Sequence, residues 1–259
     1  MTEEAPAPVV VTERVGPVLV ITLNRPAARN AVDREVAQAV AAAVDLLDTD
    51  PELRVGILTG AGGYFCAGMD LKAFLRGESP RVAGRGFAGL VEATPAKPLI
   101  AAVDGPALAG GFEIVLAADL VVAAPTATFG LPEVRRGLVA AAGGLTRLPA
   151  RLPRAIALEM VLTGKTMTAA QLHRLGLVNR LAPEGAVLAT AIEFAEEIAA
   201  NGPLAVQASK RVIDESSAWP AAEHFERTRQ IVMPVFDSND AREGATAFTE
   251  RRAPVWTAT

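Results

Sequence analysis

Apolar and polar positions alternate along the first half of the chain in strand-length and helix-length patterns, and their order predicts the fold class. Val9 to Glu13 and Val18 to Leu23 are β-branched-rich runs separated by Gly16-Pro17, which predicts a hairpin. Asn24-Arg25-Pro26 closes the second strand, because proline has no N–H to donate and restricts the residue before it. Asp33 then stands as an N-cap ahead of Val36, Val40, Ala43 and Leu47, apolar positions that share one helical face. Val55 to Leu58 is a short apolar strand closed by Gly60-Ala61-Gly62-Gly63. Tyr64 to Lys72 is expected to turn into a helix near Met69. The segment between Arg76 and Arg85, with Gly77, Ser79, Pro80 and Gly84, is expected to be a mobile loop.

Leu99 to Val103 is an apolar run of strand length, and Gly105-Pro106-Ala107-Leu108-Ala109-Gly110-Gly111 leads from it into a helical pattern that reaches Asp119. Leu120 to Ala123 is apolar again, Pro125 ends it, and Thr128 to Glu133 returns as an extended segment. This order of strand, glycine turn, helix and strand predicts an α/β fold with a parallel sheet covered by helices. From Gly143 the texture turns helical, at Ile156 to Leu162, Ala169 to Leu175, Ala186 to Ala200, Leu204 to Ile213 and Ala221 to Val235. Only Gly176 to Leu181 reads as a further strand there. The expected organisation is an α/β core over residues 1–190 and a helical C-terminal region over 191–259, without repeats.

Composition excludes several function classes. Among 259 residues, 51% are hydrophobic and 21% charged, which is ordinary for a globular chain. The net charge of −4 and the scattered basic residues argue against nucleic acid as a partner. No apolar run reaches the ~18 residues of a membrane-spanning helix. The acidic, Pro/Ala-rich start MTEEAPAPVV reads as a short flexible tail and not as a signal peptide. Cys66 stands alone and forms no intrachain disulfide, and His173 and His224 are isolated. The expectation is a cytoplasmic, metal-free protein.

The chemistry concentrates at Gly110-Gly111-Phe112-Glu113. The first N–H groups of a helix lack intrahelical partners and receive negative charge. Gly110 has no Cβ, so a ligand can approach its backbone closely. The expectation is that this turn holds a developing oxyanion with Glu113 beside it. A helix from Glu113 to Asp119 carries the chain about 10 Å away, and the strand and extended segment that follow are long enough to bring Glu133 back to the same pocket. Singly, Glu113 reads as a helix-terminal acid, Glu133 as a loop acid, and the glycines as packing residues. Cys66 reads as a small buried hydrophobe, Tyr64 as a packing residue, and the two histidines as ordinary surface or boundary positions.

Taken together, the motifs resemble the enoyl-CoA hydratase/isomerase, or crotonase, superfamily. The matching stretches are Asn24-Arg25-Pro26…Arg29-Asn30-Ala31, Phe65-Cys66-Ala67-Gly68-Met69-Asp70-Leu71, Gly110-Gly111-Phe112-Glu113, Phe129-Gly130-Leu131-Pro132-Glu133 and Leu162-Thr163-Gly164. Gly176-Leu177-Val178-Asn179, Ala208-Ser209-Lys210 and Glu250-Arg251-Arg252-Ala253-Pro254 continue the match downstream. The resemblance implies a crotonase-like spiral of repeated β-β-α units. It implies an acyl-CoA thioester substrate that passes through an enolate-like species, its oxygen held by the backbone N–H groups of Met69 and Gly110.

In the hydratases of the family two glutamates hold a water, and they match Glu113, which would activate it, and Glu133, which would act as the acid toward C2. The same resemblance implies CoA phosphate contacts at Arg25, Lys72 and Arg251, the adenine against backbone at Ala67, Gly68, Asp70 and Leu71, and substrate contacts at Gly111 and Ala141. Coenzyme A is part of the substrate, so no separate cofactor or metal is implied, and the assembly implied is a homotrimer or homohexamer. One departure stands out. Many hydratases carry Pro-Gly-Ala-Gly-Gly where this chain reads Ala140-Ala141-Ala142-Gly143-Gly144. Ala141 replaces a glycine near the catalytic water of those relatives, which leaves an isomerase, or a dehydratase acting on a branched or bulky acyl-CoA, open beside the hydratase. A non-catalytic acyl-CoA-binding member is the third alternative.

Overall fold

β-Branched runs at the start of the chain pair as expected. In the computed structural model, which describes residues 7–259, β1 (Val10–Val15) lies antiparallel to β2 (Val18–Leu23), with Val15 opposite Val18. Most of the expected N-terminal tail falls outside the described residues. The Asp33 carboxylate accepts a hydrogen bond from the Val36 N–H and so caps α1 (Arg34–Thr49), which buries Val36, Val40, Ala43 and Leu47. That helix carries the chain back to β3 (Val55–Gly60), parallel to β2.

α2 (Leu71–Leu75) begins just past the expected point, because the Asp70 carboxylate accepts hydrogen bonds from the Lys72 and Ala73 N–H groups. The segment expected to be a mobile loop carries instead a small hairpin, β4 (Arg81–Val82) against β5 (Gly86–Phe87). Glycines at 84 and 86, both at positive φ, turn it. Next come β6 (Leu99–Val103), β7 (Ala107–Leu108), α3 (Gly110–Ala117), β8 (Leu120–Ala123) and β9 (Thr128–Gly130). The extended segment expected to reach Glu133 stops at Gly130, and Pro132–Arg136 is a 3-10 turn with proline at its start.

α4 (Gly144–Arg151) was not expected, since Pro149 interrupts its pattern. α5 (Arg154–Thr163), β10 (Met167–Thr168), α6 (Ala169–Arg174), β11 (Arg180–Leu181), α7 (Val187–Ala199), α8 (Pro203–Ser216), α9 (His224–Phe236) and α10 (Asn239–Glu250) complete the chain. The strand expected over Gly176 to Leu181 shrinks to its last two residues. Met167 and Thr168 are too few to show an alternation, and α10 carries a polar-dominated sequence, so neither was legible.

Strands of the large sheet run in the order β1-β2-β3-β6-β8-β11, all parallel beyond the first hairpin. Every residue of β6 is buried, as befits a strand covered on both faces. A second ladder runs beside it, with β7 parallel to β9, β10 antiparallel to β9, and Cys66 bridged in parallel to Ala107. The chain therefore steps from a strand of the large sheet to a position in the second ladder and then into a helix or helical turn, three times over. That is the spiral of β-β-α units. Helix α7 spans residue 190 and packs on β3 and β6. Among the described residues no helix is long and apolar enough to cross a membrane.

An ion pair ties the C-terminal helices to the sheet. Lys210 Nζ on α8 lies 2.7 Å from Asp119 Oδ1 and 2.6 Å from Asp214 Oδ2, while Asp119 Oδ2 accepts a hydrogen bond from the Leu99 N–H at 2.8 Å. Removing one partner of a largely buried pair strands the other charge. Lys210→Met is expected to lower the unfolding free energy by about 3 kcal/mol, read from the midpoint of a chemical denaturation curve at unchanged slope.

Candidate active site

Register in the second ladder decides what the site is made of. Cys66 lies beside Ala107, and Ala107 beside Phe129. Met69 and Gly110 each stand three residues beyond their ladder position, and Glu133 four beyond its own. Equivalent points on three successive turns of the spiral thus converge.

The backbone around Met69 is held on one side. The Val32 N–H donates to the Gly68 carbonyl at 2.8 Å, and the Asp70 N–H donates to the Val32 carbonyl at 2.9 Å. The Met69 N–H points away from that bridge and has no protein acceptor among the described residues. Gly110 is the first residue of α3, so its N–H has no intrahelical acceptor either. Ala109 turns the chain into the helix at φ 52°, ψ −129°, its N–H donating to the Gly130 carbonyl at 2.9 Å. Gly68, at φ +93°, lets the two arms touch: a Cβ there would lie 2.9 Å from the Ala109 methyl and 3.0 Å from the Gly110 nitrogen. Gly111 shows the packing role that the sequence also allowed. A Cβ on it would fall 2.1 Å from the Cys66 carbonyl oxygen, so it is a packing glycine that seats α3 on the ladder.

These groups open on a cavity of about 670 Å³. Of the residues singled out from sequence, Ala67, Met69, Leu71, Gly110, Glu113, Glu133 and Ala141 line it. Glu113 is 3% exposed, and its Oε1 accepts hydrogen bonds from the Ala142 N–H at 2.7 Å and the Gly144 N–H at 2.9 Å. Burial pushes its carboxyl above the usual range, and those two N–H groups with the Arg147 and Arg81 charges push back. Glu133 has less support: its Oε2 is buried without a hydrogen-bond partner. Burial raises its carboxyl too and the charge of Glu113 adds to the rise, while its own backbone N–H and the Arg136 charge oppose it. Both acids are thus pushed up by burial, but they are supported differently: two N–H groups from the 142–144 loop hold one oxygen of Glu113, whereas Glu133 has its own backbone N–H and leaves Oε2 without a partner.

The expected CoA phosphate contacts do not line this cavity. Arg25 Nη1 and Nη2 lie 3.0 Å from Asp33 Oδ2 and Asp70 Oδ2, and Nη1 also donates to the Ala31 carbonyl at 2.6 Å. It clamps the capping residues of α1 and α2 together, and Asp70 is likewise occupied as a cap. Lys72 is exposed on α2 and Arg251 on the C-terminal turn of α10, and neither lines the cavity. Gly68 lies beneath the wall and does not line it.

Residues not singled out from sequence also face the cavity: Arg29, Phe74, Phe87, Arg136, Leu138 and Val139. The apolar pair Leu138-Val139 in an otherwise polar turn was the one available signal. Arg29 stacks its guanidinium over Tyr64 at 5.4 Å, which makes Tyr64 the packing residue expected. Cys66 is fully buried with its thiol pushed up to about 12 by desolvation, and its sulfur accepts the Gly68 N–H at 3.3 Å. His173 and His224 lie outside the cavity, each on a backbone carbonyl.

Residues 13–259 match the family described as enoyl-CoA hydratase/isomerase. Enoyl-CoA hydratase EchA19 of Mycobacterium tuberculosis is 46% identical over 254 residues, covering 95% of this chain and 96% of that protein. Carnitinyl-CoA dehydratase of Salmonella typhi is 45% identical over 251 residues, covering 94% of this chain and 96% of its own. The solved structure of enoyl-CoA hydratase EchA1 from Mycobacterium marinum superposes with a TM-score of 0.96 at 58% identity, covering 98% of this chain and all (100%) of that one.

Unequal acids have a consequence for stability. Where its folded-state pKa is raised, Glu133 holds a proton that the unfolded chain has already released. Stability then falls as pH rises from the ordinary carboxyl range of about 4.3 through the raised value. Glu133→Gln removes that penalty. Differential scanning calorimetry is expected to show a Tm gain of about 2–4 °C at pH 8 that shrinks toward pH 4.

Proposed function

Because the chain belongs to the enoyl-CoA hydratase/isomerase family, we propose that it adds water reversibly across the double bond of a trans-2-enoyl-CoA to give a 3-hydroxyacyl-CoA. The observation that carries this reading is the meeting of two unspent backbone donors with one buried and one half-buried carboxyl in one cavity. The thioester oxygen accepts hydrogen bonds from the Met69 and Gly110 N–H groups, which stabilise it as it becomes negative. Such donors are worth about 3 kcal/mol each when fixed in advance. Withdrawal of charge toward that oxygen makes C3 electrophilic, and water held between the two carboxyls attacks there.

The hydrogen bonds divide the labour. Glu113 keeps its negative charge more readily because two N–H groups hold one of its oxygens, so it accepts the proton of the attacking water. Glu133 has no donor for its buried oxygen and faces the Glu113 charge, so it carries the proton delivered to C2. The pair shares one proton and titrates as a unit. The same groups run the reverse, dehydrating direction, which the relatives named carnitinyl-CoA dehydratase make relevant. In that direction Glu133 removes the C2 proton and Glu113 returns its proton to the C3 hydroxyl, which leaves as water.

A homo-oligomer completes the proposal. No residue of α9 is buried, and Phe225 and Phe236 on it, with Phe248 on α10, stand largely exposed. An apolar face of this kind covers itself by association with further copies. Light scattering on the purified protein is expected to return a trimer or hexamer mass, and Phe225→Glu together with Phe236→Glu is expected to lower it.

Glu113→Gln and Glu133→Gln are each expected to cut kcat for crotonyl-CoA hydration by about 100-fold or more. Gly68→Ala is expected to do the same by forcing the two N–H arms apart. A loss below about tenfold, ~1.4 kcal/mol, in both glutamate variants overturns the assignment. Deuterium entering C4 of the substrate without any water addition identifies an isomerase instead.

A further inference from the structure

The loop that holds Glu113 is itself held from behind. Arg147, one turn into α4, is half-buried, and its Nη2 donates a hydrogen bond to the Val91 carbonyl at 2.5 Å. Its guanidinium lies across Gly143, where a Cβ would fall 2.1 Å from Arg147 Nη1. Gly143 stands between Ala142 and Gly144, the two residues whose N–H groups donate to Glu113 Oε1. The Arg147 N–H also donates to the Gly143 carbonyl at 2.9 Å, so side chain and backbone grip the same residue.

The far end of the guanidinium is anchored to a turn that bears on Gly110. The Val91 N–H donates to the Phe87 carbonyl at 3.2 Å, and the Phe87 ring rests where a Cβ on Gly110 would fall 2.6 Å from it. Gly89 seats the same turn on α1, with room for no side chain against the Ala37 carbonyl. Arg147 therefore spans from the donors of Glu113 to the turn packed on one of the two free N–H groups.

Its charge is not neutralised locally. Arg147 forms no ion pair among the described residues, whereas Arg81, the other cation acting on Glu113, is engaged by Glu92. The charged groups facing Glu113 are Arg147 from α4, Arg81 from the β4 hairpin and Glu133 from the turn after β9, and β7 brings none. Arg151, one turn further along α4, faces Arg147 and donates to the Ala118 carbonyl at 2.6 Å. Burial pushes the Glu113 carboxyl up, and Arg147 pushes back more than Arg81 does.

We propose that Arg147 is a positioning residue for the reaction, fixing the loop of Ala142 and Gly144 against Val91 and favouring the ionised Glu113 that accepts the proton of water. The proposal rests on the hydratase reading given above. A glutamate pair that works while it holds one proton gains activity as the first of two protons leaves and loses it with the second. Loss of a nearby positive charge makes both protons harder to remove. The whole bell-shaped pH profile then moves to higher pH, which a role confined to packing does not produce.

Hydration of crotonyl-CoA by the full-length protein is followed across pH for the unaltered chain, Arg147→Met, Arg147→Gln and Arg147→Lys. The two neutral variants are expected to shift both limbs of kcat/KM upward by about one pH unit, an about tenfold loss on the acid side. Arg147→Lys keeps the charge without the planar fork, and is expected to hold the limbs within about 0.3 unit while kcat falls about threefold. Calorimetric melts give a readout free of turnover. Where the Glu113 carboxyl is raised, stability falls as pH rises from the ordinary value of about 4.3 through the raised one, and loss of Arg147 enlarges that fall. Arg147→Met is expected to lose about 3 °C more in Tm at pH 8 than at pH 4. Placed on Glu113→Gln, the same change is expected to lose equally at both. Neutral variants that lower the profile without displacing it overturn the proposal, as does a Tm loss independent of pH with Glu113 present. If the neutral variants do not fold, Arg147→Lys decides: limbs held in place support the proposal, and limbs displaced by more than about 0.3 unit overturn it. The pH-dependent Tm loss in a protein that hydrates no enoyl-CoA defeats the hydratase reading and leaves the link from Arg147 to Glu113 standing. Hydration with an unmoved profile defeats the proposal alone.

Discussion

Every reactive group in this protein depends on the parallel register that sets Cys66 beside Ala107 and Ala107 beside Phe129. Parallel strands cannot be joined by a tight turn, so each ladder position is reached by a separate excursion through a helix or helical turn. What the register provides is repetition: the same offset beyond neighbouring rungs places one N–H from each of two turns at the same opening. A slip of one residue on any rung would turn its donor or acid to the other face. Gly111 and Gly68 guard against such a slip, since neither position has room for a side chain while the arms stay in contact.

The surroundings then distinguish two chemically identical side chains. Both glutamates are raised by burial; Glu133 is opposed by its own backbone N–H, whereas Glu113 is opposed by two N–H groups from a loop of small residues. The Ala140 to Gly144 stretch therefore acts through its backbone as much as through its volume. Ala141 faces the cavity while the N–H groups of Ala142 and Gly144 face Glu113. Changing the size of residue 141 can alter the room available to an acyl group without removing a hydrogen bond from the anion.

Sequence patterning revealed the skeleton well where burial is one-sided or complete. The first hairpin, the Asp33 cap, β3, β6 and β8 follow from apolar runs and turn residues alone. The glutamate pair and the two donor positions were legible only through ordered motifs, because nothing local to Glu133 distinguishes it from a loop acid. Elements made by tertiary contact were not legible. β4 with β5 and β10 are too short to show a period, and α4 carries a proline inside its last turns. Arg25 illustrates the same limit for charges. Its motif suggested a ligand phosphate, whereas its two carboxylate partners come from residues 8 and 45 positions downstream and meet only in the fold.

Ala109 bears on how the site meets its ligand. An alanine at φ 52°, ψ −129° occupies a region that side chains ordinarily avoid, at a cost of about 1–3 kcal/mol supplied by the surrounding fold. Its N–H is fixed to Gly130 and its methyl rests against Gly68, so the peptide leading to Gly110 has no second orientation within easy reach. The donor is aimed during folding and not during turnover. In the proposed reaction, the reorganisation that water would have to undergo around a forming anion would be completed before the thioester arrives, and the rate would inherit what the chain spent in reaching its native state.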